Sequence, residues 1–142
     1  GFVDWHLITL FCGLFIIVNA FATTGLPAQA VCWLSRHGLT LTEGTLLTLV
    51  ATLLSNLVSN VPAVMMLVKF LDPAVAEPWY VLAVASTFAG NLITIGSIAN
   101  LIVIEQAKAY GVHIGFREHA RAGLPVTLAS LAVLLGWLQV LH

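Results

Sequence analysis

Apolar residues run almost unbroken through about 5–21, 45–71, 79–104 and 124–141. A helix needs roughly 17–25 apolar residues to cross a bilayer, and each run approaches or exceeds that length. Only helices and closed barrels satisfy their backbone in lipid, so the expected fold class is all-α, a polytopic membrane protein. The first helix is expected to open at an interfacial Trp5 and His6. Asn19 near its far end and Thr23-Thr24-Gly25-Leu26-Pro27 stop it, giving a first element over 1–26. Residues 27–38 are too short to span. Leu26, Ala30, Val31, Trp33 and Leu34 alternate there with Gln29, Ser35 and Arg36, as in a short helix lying in the interface plane.

Two stretches break the apolar pattern. Ser55-Asn56-Leu57-Val58-Ser59-Asn60-Val61-Pro62 sits in the middle of 45–71. Unpaired amides at that depth cost several kcal/mol each, roughly. Pro62 also removes a backbone donor and disfavours a helical Val61. The flanking pieces are each about 16 Å long, half of a roughly 30 Å hydrocarbon core. Residues 45–71 are therefore one broken span or two half-helices meeting at Ser59-Asn60. The second stretch, Gly90-Asn91-Leu92-Ile93-Thr94-Ile95-Gly96-Ser97-Ile98-Ala99-Asn100, interrupts a helix expected over 79–110. Two polar, Gly- or Pro-broken segments at membrane depth mark a transporter site built from discontinuous helices. Ordinary helix packing, with small residues allowing close approach and Asn bonding across, is the plainer alternative. Residues 72–78 form a polar, proline-marked loop before the interfacial anchors Trp79 and Tyr80, and 124–141 is a final span with Pro125 at its start.

Sixty per cent apolar and eight per cent charged residues, with a mean hydropathy of +1.03, fit this architecture. A net charge of −1 offers no basic face, so no nucleic acid partner is expected. Lys108, Arg117 and Arg121 make the loop 105–123 the most basic part of the chain. The positive-inside bias puts it in the cytoplasm, with the C-terminus outside a plasma or inner membrane. His113 and His119 in that loop read as solvated, and Cys12 and Cys32 as small buried hydrophobes. Lys and Arg counts prefer a full crossing of 45–71, four inside to one outside, over a hairpin, three to two. No His-Glu-x-x-His, no Gly-x-Ser-x-Gly and no paired carboxylates occur, so no enzyme and no metal site is expected. The chain opens at Gly1 without a Met, a basic segment or a cleavage site, and it reads as a piece of a longer protein.

Phe21-Ala22-Thr23-Thr24-Gly25-Leu26, Ser59-Asn60-Val61-Pro62-Ala63-Val64 and Gly96-Ser97-Ile98-Ala99-Asn100-Leu101-Ile102-Val103 occur in that order. The combination resembles the ion transporter superfamily, and most closely its arsenite/anion permease and citrate-transporter-like members. The likeness covers nearly the whole of 1–142 and corresponds to the C-terminal one of two inverted repeats. It implies a re-entrant hairpin over 45–71 with its tip at Ser59-Asn60, followed by a helix unwound near 94–97. In the related sodium–dicarboxylate symporters, the tip and the unwound loop share cation and substrate. On matching positions this points to Ser59, Asn60, Ser97 and Asn100, which are also the candidate ligands of a Na⁺. Val61 and Ile98-Ala99 depart from the symporters and favour the permease branch.

The residues support the same placement. Asn91 and Thr94 lie in the second break, and half-helix N-termini after Asn60 and Ser97 suit an anion or oxyacid. No ionisable residue lies at mid-membrane depth, so a proton carrier falls at Asp4, at Glu105 or in the other repeat. The expected function is ion-coupled secondary transport, by alternating access, of an arsenite-like oxyacid or a carboxylate. Its expected partners are the bilayer, the N-terminal repeat and, as the resemblance implies, a second copy in a homodimer. No cofactor is expected beyond Na⁺ or H⁺ as coupling ion. A Na⁺/H⁺ antiporter of the same superfamily and a non-transporting membrane fragment are the alternatives.

Overall fold

The helices begin and end close to the polar punctuation of the chain, with differences at the proline positions. The computed structural model describes residues 5–141, leaving aside the side chains at positions 6, 7, 95 and 141. The expectations for His6 as an anchor and Asp4 as a proton carrier therefore lie outside the described residues. The chain divides into two compact units, Gly1–Thr40 and Leu41–His142.

The first unit holds α1 (Trp5–Thr23) and α2 (Leu26–Arg36). Their axes, measured from Ile8 onward, differ by 55°. The hydroxyls of Thr23 and Thr24 donate to the carbonyls of Ala20 and Phe21, both at 2.7 Å, so the last turn of α1 closes on itself. Pro27 falls in the first turn of α2, where a missing N–H costs nothing. At the other end His37 Nδ1 donates to the Trp33 carbonyl at 2.8 Å, below a tilted ring contact between the two side chains. No residue of α2 is buried. Cys12 and Cys32 are both exposed, not buried as expected, because a unit of two helices packs few side chains around any one position.

The second unit contains α3 (Gly44–Val58), α4 (Asn60–Leu67) with a 3-10 turn at Val68–Phe70, α5 (Ala76–Ala89), a 3-10 turn at Thr94–Gly96, α6 (Ile98–Ala109) and α7 (Phe116–Leu141). Helix α3 packs against α4, α5 and α7 and is the centre of the unit. Its buried residues Leu47, Thr48, Ala51 and Ser55 lie on one face. Ala51, Ala85 and Ala89 are fully enclosed, and their small side chains let α3 and α5 approach closely. The hydroxyls of Thr48 and Thr52 donate to the carbonyls of Gly44 and Thr48 within α3, so these polar groups are satisfied without leaving the helix. Helix α6 rests chiefly on the Thr94–Gly96 turn and buries only Ile98.

Three boundaries differ from the sequence reading. Helix α3 continues through Ser55-Asn56 to Val58, and the Asn56 side-chain amide is accommodated there by donating back to the Thr52 carbonyl at 2.9 Å. Helix α5 starts at Ala76, which places Pro78 in its first turn. Asp72 shapes the preceding turn by accepting from the Ala74 amide and, through its carbonyl, from the Trp79 indole. Helix α7 starts at Phe116, so Pro125 lies inside it and Arg117 and Arg121 are helical, not part of a loop. The cause is the Glu half of a capping box: the Gly115 amide donates to Glu118 Oε2 at 2.7 Å, and the first helical bond runs from the His119 amide to the Gly115 carbonyl at 3.0 Å. Among the described residues, one uninterrupted helix, Phe116–Val140, is long and apolar enough to cross a bilayer by itself.

Glycine matters most where α7 meets the segment after α5. A Cβ at Gly123 would collide with the Asn91 carbonyl, whereas one at Gly136 would meet nothing. Gly123→Ala is expected to lower the melting temperature of the detergent-solubilised protein, at a cost of about 1–3 kcal/mol for overpacking. Gly136→Ala is expected to leave it unchanged or raise it slightly, since alanine is favoured over glycine in a helix by about 0.5–1 kcal/mol. Equal effects of the two substitutions would contradict the close approach.

Candidate functional site

Ser59 is the residue between α3 and α4, with φ 75° and ψ 156°. Among the described residues it is the only non-glycine with positive φ. That region is essentially restricted to glycine and costs roughly 1–3 kcal/mol for another residue. The strain ends α3 abruptly and starts α4 one residue later. Asn60 Oδ1 accepts from the Val61 amide at 2.9 Å and, at the 3.5 Å limit, from the Ser59 hydroxyl. Pro62 is the third residue of α4, so its missing donor is one the helix start would leave unpaired anyway. Ser59 is buried, while Asn60 is half-buried.

The second break is held differently. Helix α5 ends at Ala89, and its last carbonyls lack helical partners. Asn91 and Leu92 amides turn back onto the Phe88 and Ala89 carbonyls at 3.2 and 3.0 Å. Side chains from three other helices add donors. Thr127 of α7 donates to the Phe88 carbonyl at 3.3 Å, Asn56 of α3 to the Ala89 carbonyl at 3.1 Å, and Asn100 of α6 to the Gly90 carbonyl at 2.7 Å. The chain then returns close to itself. A Cβ at Gly96 would stand 3.0 Å from Asn56 Oδ1 and 3.3 Å from the Gly90 carbonyl. Ser97 is the N-cap of α6, in extended conformation.

Three oxygens near these breaks are buried without a hydrogen-bond partner: Ser55 Oγ, Asn56 Oδ1 and Thr94 Oγ1. Each such group costs about 1–3 kcal/mol relative to its solvated state. Hydroxyl and amide oxygens of this kind accept from a hydroxylated guest or coordinate a hard cation. Among the described residues, no three His, Cys, Asp or Glu side chains converge to hold a metal ion.

Of the residues singled out from sequence, Asn91, Thr94, Ser97 and Asn100 gather around the α5–α6 break. Asn91 also lines a cleft beside α7, and Asn100 is already engaged by Gly90. Ser59 and Asn60 form the α3–α4 break, and among the described residues no hydrogen bond joins them to the second one. Asn56 and Thr127 were missed as site residues. Asn56 had a signal, since it repeats the Ser-Asn pair four residues before Ser59-Asn60. Thr127 is a lone hydroxyl in an apolar helix and had none.

The chain resembles several described proteins. It is 38% identical to a silicon efflux transporter of Oryza sativa subsp. japonica, with 92% of this chain and 30% of the relative aligned. It is 36% identical to a 46 kDa membrane protein of Mycobacterium leprae, over 92% of this chain and 33% of the relative. It is 35% identical to the putative transporter arsB of Dictyostelium discoideum, over 94% of this chain and 24% of the relative. The chain thus spans about a quarter to a third of the length of these relatives. No solved structure matches it. The family described as citrate transporter matches residues 2–89, more than half of the chain. On that match, the chain belongs to the citrate transporter family.

Proposed function

We propose that this chain supplies half of the substrate site of a secondary active transporter. The observation that carries the reading is the pairing of two helix breaks with the buried, unpartnered oxygens of Ser55, Asn56 and Thr94. In apolar surroundings such oxygens are retained where a guest completes them. In this reading α3 and α4 form a re-entrant hairpin with Ser59-Asn60 at its tip, and α5 and α6 are the two parts of one discontinuous helix. The substrate is a small oxyacid or carboxylate, in keeping with relatives named for silicon efflux and arsB and a family named for citrate. Ser59, Asn60, Asn91, Thr94, Ser97 and Asn100 surround it together with an oppositely oriented repeat. Na⁺ on the hydroxyl and amide oxygens, or a proton, couples its movement. The exposed Leu49, Leu53 and Leu57, on one face of α3, then meet lipid or the second repeat. The 110–115 turn faces the cytoplasm, and the full-length protein is a homodimer.

The test is uptake by the full-length protein in proteoliposomes, with citrate and arsenite as probes. Asn60→Ala and Asn100→Ala are each expected to lower the initial rate about tenfold, the loss of one hydrogen bond to the substrate. Unchanged rates in both variants, with both probes transported by the parent protein, would sink the reading. Ser59→Gly separates strain from function. It is expected to raise the melting temperature, since glycine relieves about 1–3 kcal/mol at this backbone conformation, and at the same time to slow uptake. A variant that is no more stable than the parent contradicts the strained turn.

A further inference from the structure

Thr9, Thr48, Thr52 and Thr87 satisfy their hydroxyls within their own helices, each donating to the carbonyl four residues back at 2.7–2.8 Å. Thr127 does not. It is 1% exposed, near the middle of α7, and its hydroxyl crosses to the Phe88 carbonyl at the end of α5, at 3.3 Å. Thr127 shares one face of α7 with Gly123 and His119, at four-residue spacing. His119, expected to be solvated from its charged neighbours, is half-buried on that face. Gly123 lies against the Asn91 carbonyl, so Gly123 and Thr127 grip the Phe88–Leu92 turn at two points.

The chemistry of this grip allows release. The Phe88 carbonyl also accepts from the Asn91 amide at 3.2 Å, so it keeps a partner when the hydroxyl leaves. The hydroxyl has a second acceptor in its own helix, the Gly123 carbonyl four residues back, of the kind that Thr48 and Thr52 use. Exchange between the two acceptors strands no buried polar group, so unlatching avoids the penalty of an unpaired donor or carbonyl. Pro125 adds freedom to move. It denies the Arg121 carbonyl its helical donor, which weakens the ladder of α7 beside the contact, and helices bend most readily at such a place.

We propose that Thr127 is a positioning residue of the transport site, a releasable latch whose hydroxyl on the Phe88 carbonyl holds the 88–92 turn, and with it Asn91, against α7. The role of Asn91 rests on the transport reading; the latch rests on the bonds alone. Thr127→Val keeps the shape of the side chain and removes the hydroxyl, whereas Thr127→Ser keeps the hydroxyl. In the full-length protein in proteoliposomes, Thr127→Val is expected to raise the KM for citrate or arsenite about fivefold, the worth of one neutral hydrogen bond. Maximal rate is retained, because saturating substrate draws the turn back into place. Thr127→Ser is expected to stay near the parent. In the detergent-solubilised full-length protein, Thr127→Val is also expected to speed amide hydrogen exchange over 88–92 about fivefold, and Thr127→Ser to leave it unchanged. Exchange that Thr127→Val does not speed overturns the latch. A KM unchanged in Thr127→Val overturns the positioning role, even with a lower melting temperature, since a merely structural threonine behaves that way. If the parent transports neither probe, exchange decides. Faster exchange in Thr127→Val alone keeps the latch and sinks only the transport reading, whereas equal exchange in all three proteins overturns the latch as well.

Discussion

The second unit depends on how the carbonyls at the end of α5 find partners. A helix leaves its last carbonyls without intrahelical donors, and in apolar surroundings each unmet group costs several kcal/mol, roughly. Water would meet this need at a surface. Here the Asn91 and Leu92 amides turn back onto the Phe88 and Ala89 carbonyls, and Thr127, Asn56 and Asn100, one side chain each from α7, α3 and α6, add donors on the consecutive carbonyls of Phe88, Ala89 and Gly90. The break is thus a joint between four helices. Moving α6 takes the Asn100 donor from the Gly90 carbonyl and moving α7 takes the Thr127 donor from the Phe88 carbonyl, so the segment after α5 is tied to any rearrangement of the helices that hold it.

The α3–α4 break rests on a different device. There the backbone of Ser59 sits in a conformation that glycine would adopt without strain. Packing around it holds it there: Ser55 is fully buried one turn before, and Pro62 and Ala63 are buried in the first turn of α4. A serine kept at a position better suited to glycine makes sense where its hydroxyl or its exact backbone placement has a use. The same logic covers the unpartnered oxygens of Ser55, Asn56 and Thr94, which an apolar substitution would remove at little structural loss. Strain and unsatisfied polarity fall together at the two places where the helices are interrupted.

Close backbone approach links the breaks to their supports. Gly96 lies tightly against Asn56 Oδ1 and Gly90, and Gly123 lies against the Asn91 carbonyl with no room for a side chain. Through Gly123 the last helix reaches the segment after α5 directly. The face of α7 that makes this contact also carries His119, one turn before Gly123.

The chain's own order of residues determined the helical class, the interruptions near Ser59 and between Gly90 and Ser97, and the amphipathic α2. Each follows from local chemistry: apolar length, Gly and Pro at fixed places, and Ser-Asn pairs within an apolar run. The helix starts at Ala76 and Phe116 were less legible, because proline reads as a boundary while a first turn tolerates Pro78 and the Gly115–Glu118 cap carries α7 past Pro125. What completes the α5–α6 break was decided only by tertiary structure. Asn56 reaches a carbonyl 33 residues away and Thr127 one 39 residues away, and no local pattern encodes such partners. The burial of His119 Nε2 and the exposure of Cys12 and Cys32 belong to the same class. Burial is a property of what packs against a side chain, and its neighbours in sequence do not specify that.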